Sequence, residues 1–212
     1  MKEFYRNMSK YLYPLYIIIH PVDGYHEMKN NNKYSLRVAN LVLALWVLLR
    51  VLLWGYVDFD FKVRWRDVQL FQILLTTVII FAMAIVSNWC FCTLMEGKGK
   101  FHEIWISCAY ALIPYVTLGF IKVALTFIMT ESEEGVFLTY LNIIGIVWSV
   151  LLLFIALYVV HDYTGPKTVA SILLTILGIM IMAFLVVLAS GLATQIYSFF
   201  ATIYFELKLR LL

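Results

Sequence analysis

His161-Asp162, at the end of a long apolar run, is the pair in this chain whose types best suit proton transfer. An imidazole next to a carboxylate can relay a proton near neutral pH. A helix end facing water explains the same two residues, and that is the expectation here. His20-Pro21 has the look of a helix stop, because the residue before a proline is driven out of the α region. Ser190-Gly191 lacks the partner histidine and flanking glycine that an intramembrane serine nucleophile needs. Gly97-Lys98-Gly99-Lys100 has no strand before it and no Ser or Thr after it, so it reads as a polar turn and not a phosphate cradle. The cysteines Cys90, Cys92 and Cys108 lie in or beside apolar runs. Cys90-Phe91-Cys92 is not a C-x-x-C pair, and buried free thiols are expected. No catalytic residue, cofactor or metal ligand is assigned, and the protein reads as a non-enzyme.

The elements that must position these residues are membrane helices. Of 212 residues, 63% are hydrophobic and only 14% charged, against roughly 25% charged in an ordinary soluble domain. A soluble fold could not hide so much apolar surface. The net charge of +3 is too small and too dispersed for a nucleic-acid partner. A helix needs about 20 apolar residues to cross the hydrocarbon. Spans are predicted over about 36–56, 68–92, 103–127, 136–160 and 168–190. Lipid offers the backbone no hydrogen-bond partners, so these are helices. The fold expected is all-α, a polytopic five-helix bundle. An interfacial segment, 1–35, precedes the transmembrane domain, 36–190. An amphipathic tail, 191–212, follows it, because Ser190 to Gln195 interrupts the last apolar run. A short sixth span is the alternative for that tail. Asp23 is expected to cap a helical turn within the first segment.

Every one of the 13 carboxylates lies outside the spans or at their ends. Ion-coupled transporters carry such groups at mid-membrane, so a proton-driven pump is disfavoured. Packing chemistry remains. Pro114 should kink the third span, with Tyr110 one turn earlier on the same face. Gly145 and Ser149 form a small-xxx-small step that allows close helix contact. Lys and Arg favour the N-terminal side in the loops, among them Lys29, Lys98, Lys100 and Lys167. The positive-inside rule then predicts the N-terminus cytoplasmic and the C-terminus outside; the plasma membrane is the location expected.

Four stretches carry a family resemblance: Ile19-His20-Pro21-Val22-Asp23-Gly24-Tyr25, Gly97 to Ile104, Ala109 to Tyr115, and His161-Asp162-Tyr163 with Lys167 ahead of Thr175 to Ile179. Together they resemble the Yip1-domain membrane proteins over roughly residues 10–200. The resemblance implies five spans, a cytoplasmic N-terminus and no catalytic residues. The chain is more similar to the short bacterial members than to the eukaryotic trafficking scaffolds. It implies an accessory or scaffold subunit whose partners are membrane lipids and another integral membrane protein, among which carbohydrate ABC-importer permeases are the candidates. A small-solute channel, suggested by Pro114 and by Asn88, Thr117, Thr126 and Asn142, is the alternative. A Yip1-type trafficking scaffold is the second.

Overall fold

The computed structural model describes residues 13–31, 34–56, 70–127 and 131–211. Among them the chain is all-α, with no strand. Two short helices, α1 (Tyr13–Ile19) and α2 (Pro21–Asn30), precede α3 (Leu36–Tyr56) and α4 (Leu70–Leu94). Then come α5 (Phe101–Ala111), α6 (Ile113–Thr126), α7 (Glu131–His161) and α8 (Gly165–Leu211). Five stretches are long and apolar enough to cross a membrane, the third formed by α5 and α6 together.

That third span is the axis of the bundle. Of its apolar window 56% is buried, against 11% for α8. The other helices are arranged around it: α3 and α7 flank both of its halves, and α4 lies against α5. Pro114 splits it as expected, since proline has no N–H to give the preceding turn. The break falls at Leu112, and α6 restarts with Pro114 in its first turn, where a missing N–H costs nothing.

The N-terminal segment packs onto the bundle. Tyr13, Ile17, Tyr25 and Met28 are fully buried in the common core with Ile104, Tyr110 and Val160. Gly24 lets α1 close on α2, because a Cβ there would stand 2.9 Å from Ile17 Cγ1. Asp23 is not the cap expected of it. The cap position of α2 belongs to His20, which makes no side-chain cap bond, and Pro21 follows it. Asp23 lies within the first turn, where its charge suits the helix dipole. His20 is exposed and stacks on Tyr16, ring centroids 5.0 Å apart.

The helix α8 runs unbroken for 47 residues, about 70 Å at 1.5 Å per residue. It passes through Ser190 to Gln195, where the sequence suggested a change from span to surface tail. Its first half packs on α4. From Ala183 to Phe200 every residue is exposed.

Candidate functional site

The polar groups of the bundle converge at the end that carries α1 and α2. Here α4 stops and the chain turns through 95–100 into α5, while α7 turns through 162–164 into α8. Both helix ends close in the same way. Glu96 and Asp162 each adopt φ of 58°. The following amides reach back to the carbonyls of Cys92 (2.9 Å) and Tyr158 (3.1 Å), the Schellman pattern. The two turns then bind each other: Lys98 donates its backbone N–H to the His161 carbonyl at 3.3 Å, and its ammonium to Asp162 at 2.6 Å. Lys29, from α2, donates to the Val160 carbonyl at 2.8 Å, placing a cation at the C-terminus of α7. Across the cleft, the buried Glu103 carboxylate accepts the Lys100 backbone N–H at the start of α5, half of a capping box.

His161 is 1% exposed. It does not face water, so the sequence expectation for it is corrected: only its neighbour Asp162 is exposed. Its ring bridges two residues of α4, with Nε2 2.8 Å from Asn88 Oδ1 and Nδ1 2.7 Å from Cys92 Sγ. Asn88 Oδ1 can only accept, so His161 Nε2 carries the proton and Nδ1 accepts the Cys92 thiol. The chain continues in one direction. Asn88 Nδ2 donates to Thr175 Oγ1 at 3.0 Å, and that hydroxyl donates to the Ser171 carbonyl at 2.8 Å. Ser87 Oγ donates to the Thr175 carbonyl at 2.8 Å, where Gly178 admits it. Tyr163 stacks on His161 with centroids 5.1 Å apart, donates to the Cys92 carbonyl, and carries Lys167 over its outer face.

Cysteine nucleophiles use this thiol–imidazole–amide order. The surroundings do not. Cys92 is 1% exposed. A Cβ at position 97 would collide with both Cys92 Sγ and the Tyr163 hydroxyl, and one at 99 would come within 2.6 Å of His161 Nδ1. The loop leaves no room for an electrophile beside the sulfur. The cluster therefore acts as a polar latch joining α4, α7 and α8. Outside the spans, Lys98 holds the Asp162 carboxyl below its ordinary value and is itself raised by the pair. Burial raises the hydroxyls of Tyr25 and Tyr163. Among the described residues no group of three or more His, Cys, Asp or Glu could hold a metal ion.

The residues singled out in sequence fall into separate places. His161 and Asp162 belong to the latch, and Cys92 and Asn88 join them there. Pro114, Gly145 and Ser149 form a second cluster deeper in the bundle. Ser149 Oγ accepts the Tyr115 backbone N–H at 3.1 Å, and a Cβ on Gly145 would lie 3.4 Å from Tyr115 Cα. Tyr110 pins the connection into α3, its hydroxyl donating to the Ser35 carbonyl at 3.3 Å. His20 and Pro21 stay at the α1–α2 corner. Of the three thiols, Cys92 and Cys108 are buried and Cys90 is exposed. Ser171 carried no sequence signal beyond a polar type, while Lys29 entered only as a loop cation and Thr175 only within the family resemblance.

A five-span helical membrane protein with two helix ends latched beneath an N-terminal cap is the class defined by these features. The chain belongs to the Yip1 domain family, whose model matches residues 15–205. No curated protein and no solved structure matches it.

Proposed function

We propose that the protein is a non-enzymatic accessory or scaffold subunit that holds another integral membrane protein. The observation that carries this reading is the second half of α8. Residues 183–200 are exposed all round the helix and mostly apolar, with Ser190, Thr194, Gln195 and Ser198 the polar exceptions. At about 70 Å, α8 is more than twice as long as the roughly 30 Å hydrocarbon core it crosses. Where the helix extends past the hydrocarbon, an exposed apolar surface of this kind favours a partner's binding face. Small residues at Ala189, Ser190, Gly191 and Ala193 keep the backbone approachable there. Family membership and the closed thiol–imidazole cluster favour a scaffold over an enzyme. The permease of a carbohydrate ABC importer is the partner class to test first. Basic residues at the α1–α2 end, Lys29, Lys98, Lys100 and Lys167, favour a cytoplasmic N-terminus in the plasma membrane.

The test is affinity purification of the chain from native membranes in a gentle detergent, with mass spectrometry of its companions. A stoichiometric membrane partner that is lost when the chain is truncated after Ser190 is the expected result. Recovery of this chain alone would overturn the scaffold reading.

A further inference from the structure

Beneath the latch lies a cavity of about 340 Å³, lined by α4, α5, α7 and α8 together with the Leu112 junction. Three lining residues are polar, and each is already engaged. Asn88 is held between His161 and Thr175, the Thr175 hydroxyl donates to the Ser171 carbonyl, and Ser149 accepts from Tyr115. The rest of the wall is hydrocarbon and the Cys108 thiol. A polar guest would forfeit its hydration for nothing here.

The cavity also has a mouth. The helices α7 and α8 share the turn 162–164 but diverge from it, since α7 packs on α5 and α6 while α8 packs on α4. Val150 on α7 and Ile176 on α8 both line the cavity and are exposed, so they flank the opening. The depth of this opening decides what fills it. Asn88 lies six residues inside the end of α4, which ends at Leu94, or about 9 Å, and Ile179 about 21 Å inside the start of α8. Headgroups occupy only the outermost several ångströms of the bilayer. The medium at the mouth is therefore lipid acyl chain, and an empty cavity would leave its lining without dispersion partners.

We propose that this cavity is a binding site for one acyl chain of a membrane glycerophospholipid, which enters sideways between α7 and α8. The chain completes the packing of α8 against α7, two helices that otherwise meet only near their shared turn.

The full-length protein, reconstituted in phosphatidylcholine vesicles that contain a phosphatidylcholine with a diazirine midway along one acyl chain, is irradiated, and its adducts are mapped by peptide mass spectrometry. Adducts are expected on Leu153 and Ile172 inside the cavity as well as on the exposed Leu173 and Ile181. Ala84→Phe, which fills the cavity, should abolish the first pair and leave the second pair unchanged. If that variant does not elute as a single species, Val150→Trp, which narrows the mouth from an exposed position, replaces it, with Leu153 and Ile172 as the reporters. Adducts confined to exposed residues in the native chain would overturn the proposal. So would cavity adducts that survive filling, or a free apolar metabolite co-purifying in place of a glycerolipid.

Discussion

Ser149 Oγ stands 3.1 Å from the backbone nitrogen of Tyr115, so a hydroxyl on α7 satisfies a donor that the proline break on the third span leaves free. The helix α6 begins at Ile113, and the first amides of a helix have no partner within it. Gly145, one turn away, faces the same stretch of α6, where a Cβ would make ordinary contact with Tyr115 Cα at 3.4 Å. The small-xxx-small step and the proline are thus two halves of one joint.

Removing that hydroxyl tests the joint. Ser149→Ala leaves the half-buried Tyr115 N–H unpaired, a cost of about 1 kcal/mol. Thermal unfolding in detergent should show the loss, while Ser149→Thr, which retains an acceptor, should recover most of it.

The latch predicts a graded glycine series. Gly97→Ala forces a methyl against Cys92 and Tyr163, and Gly99→Ala forces one against His161. Each should destabilise by about 1–3 kcal/mol through overpacking. At Gly165 and Gly191 a Cβ would meet nothing within 4 Å, and alanine at either should be neutral or mildly stabilising. Equal losses at all four positions would remove the steric account.

His161 itself is next. Alanine there strands the Asn88 carbonyl oxygen and the Cys92 thiol in a buried cluster and opens a void, for a loss of at least about 2 kcal/mol. Cys90 should react first with a membrane-permeant thiol reagent in the native chain, because it alone of the three thiols is exposed. In His161→Ala, Cys92 should begin to react.

Lys98 and Asp162 give a pH signature. Asp162 has a carboxyl lowered from 3.8 by Lys98. Its share of stability is full above that ordinary value and is lost as pH falls through the lowered one. Lys98 is raised from 10.5. Its share is full below that value and is lost as pH rises through the raised one. Both side chains are largely exposed, so the effect is small and weakens with salt. The difference between native protein and Asp162→Asn should therefore vanish at both pH extremes. Asparagine also tolerates the left-handed backbone at this position, which isolates the charge from the turn.

Glu96 occupies the same left-handed backbone, where its Cβ is crowded by the main chain. Glycine fits that conformation at no steric cost, so Glu96→Gly should raise stability by up to about 1 kcal/mol. A melting temperature that falls would contradict the helix-end geometry.

What the sequence alone determined follows from transfer to lipid. Long apolar runs specify helices, their number and their rough limits, because a backbone without water can only bond to itself. Pro114 marked its break by missing one N–H, and the Gly145–Ser149 step marked a close approach. These are local properties, legible one segment at a time. The convergence of Cys92, Asn88 and His161 is different, because it joins positions 69 and 73 residues apart. It depends on how α4 and α7 are rotated and slid against each other. Helices apolar on every face carry no stripe from which that rotation could be read. For the same reason Tyr13, Tyr25 and Lys29 read as an interfacial segment, and only packing against α5 and α7 made the two tyrosines part of the core and brought Lys29 to the end of α7. In α8, Ser190 to Gln195 looked like an interruption because it breaks the apolar run. In the tertiary structure the backbone keeps its own hydrogen bonds through them, and one helix continues where the sequence alone suggested two elements.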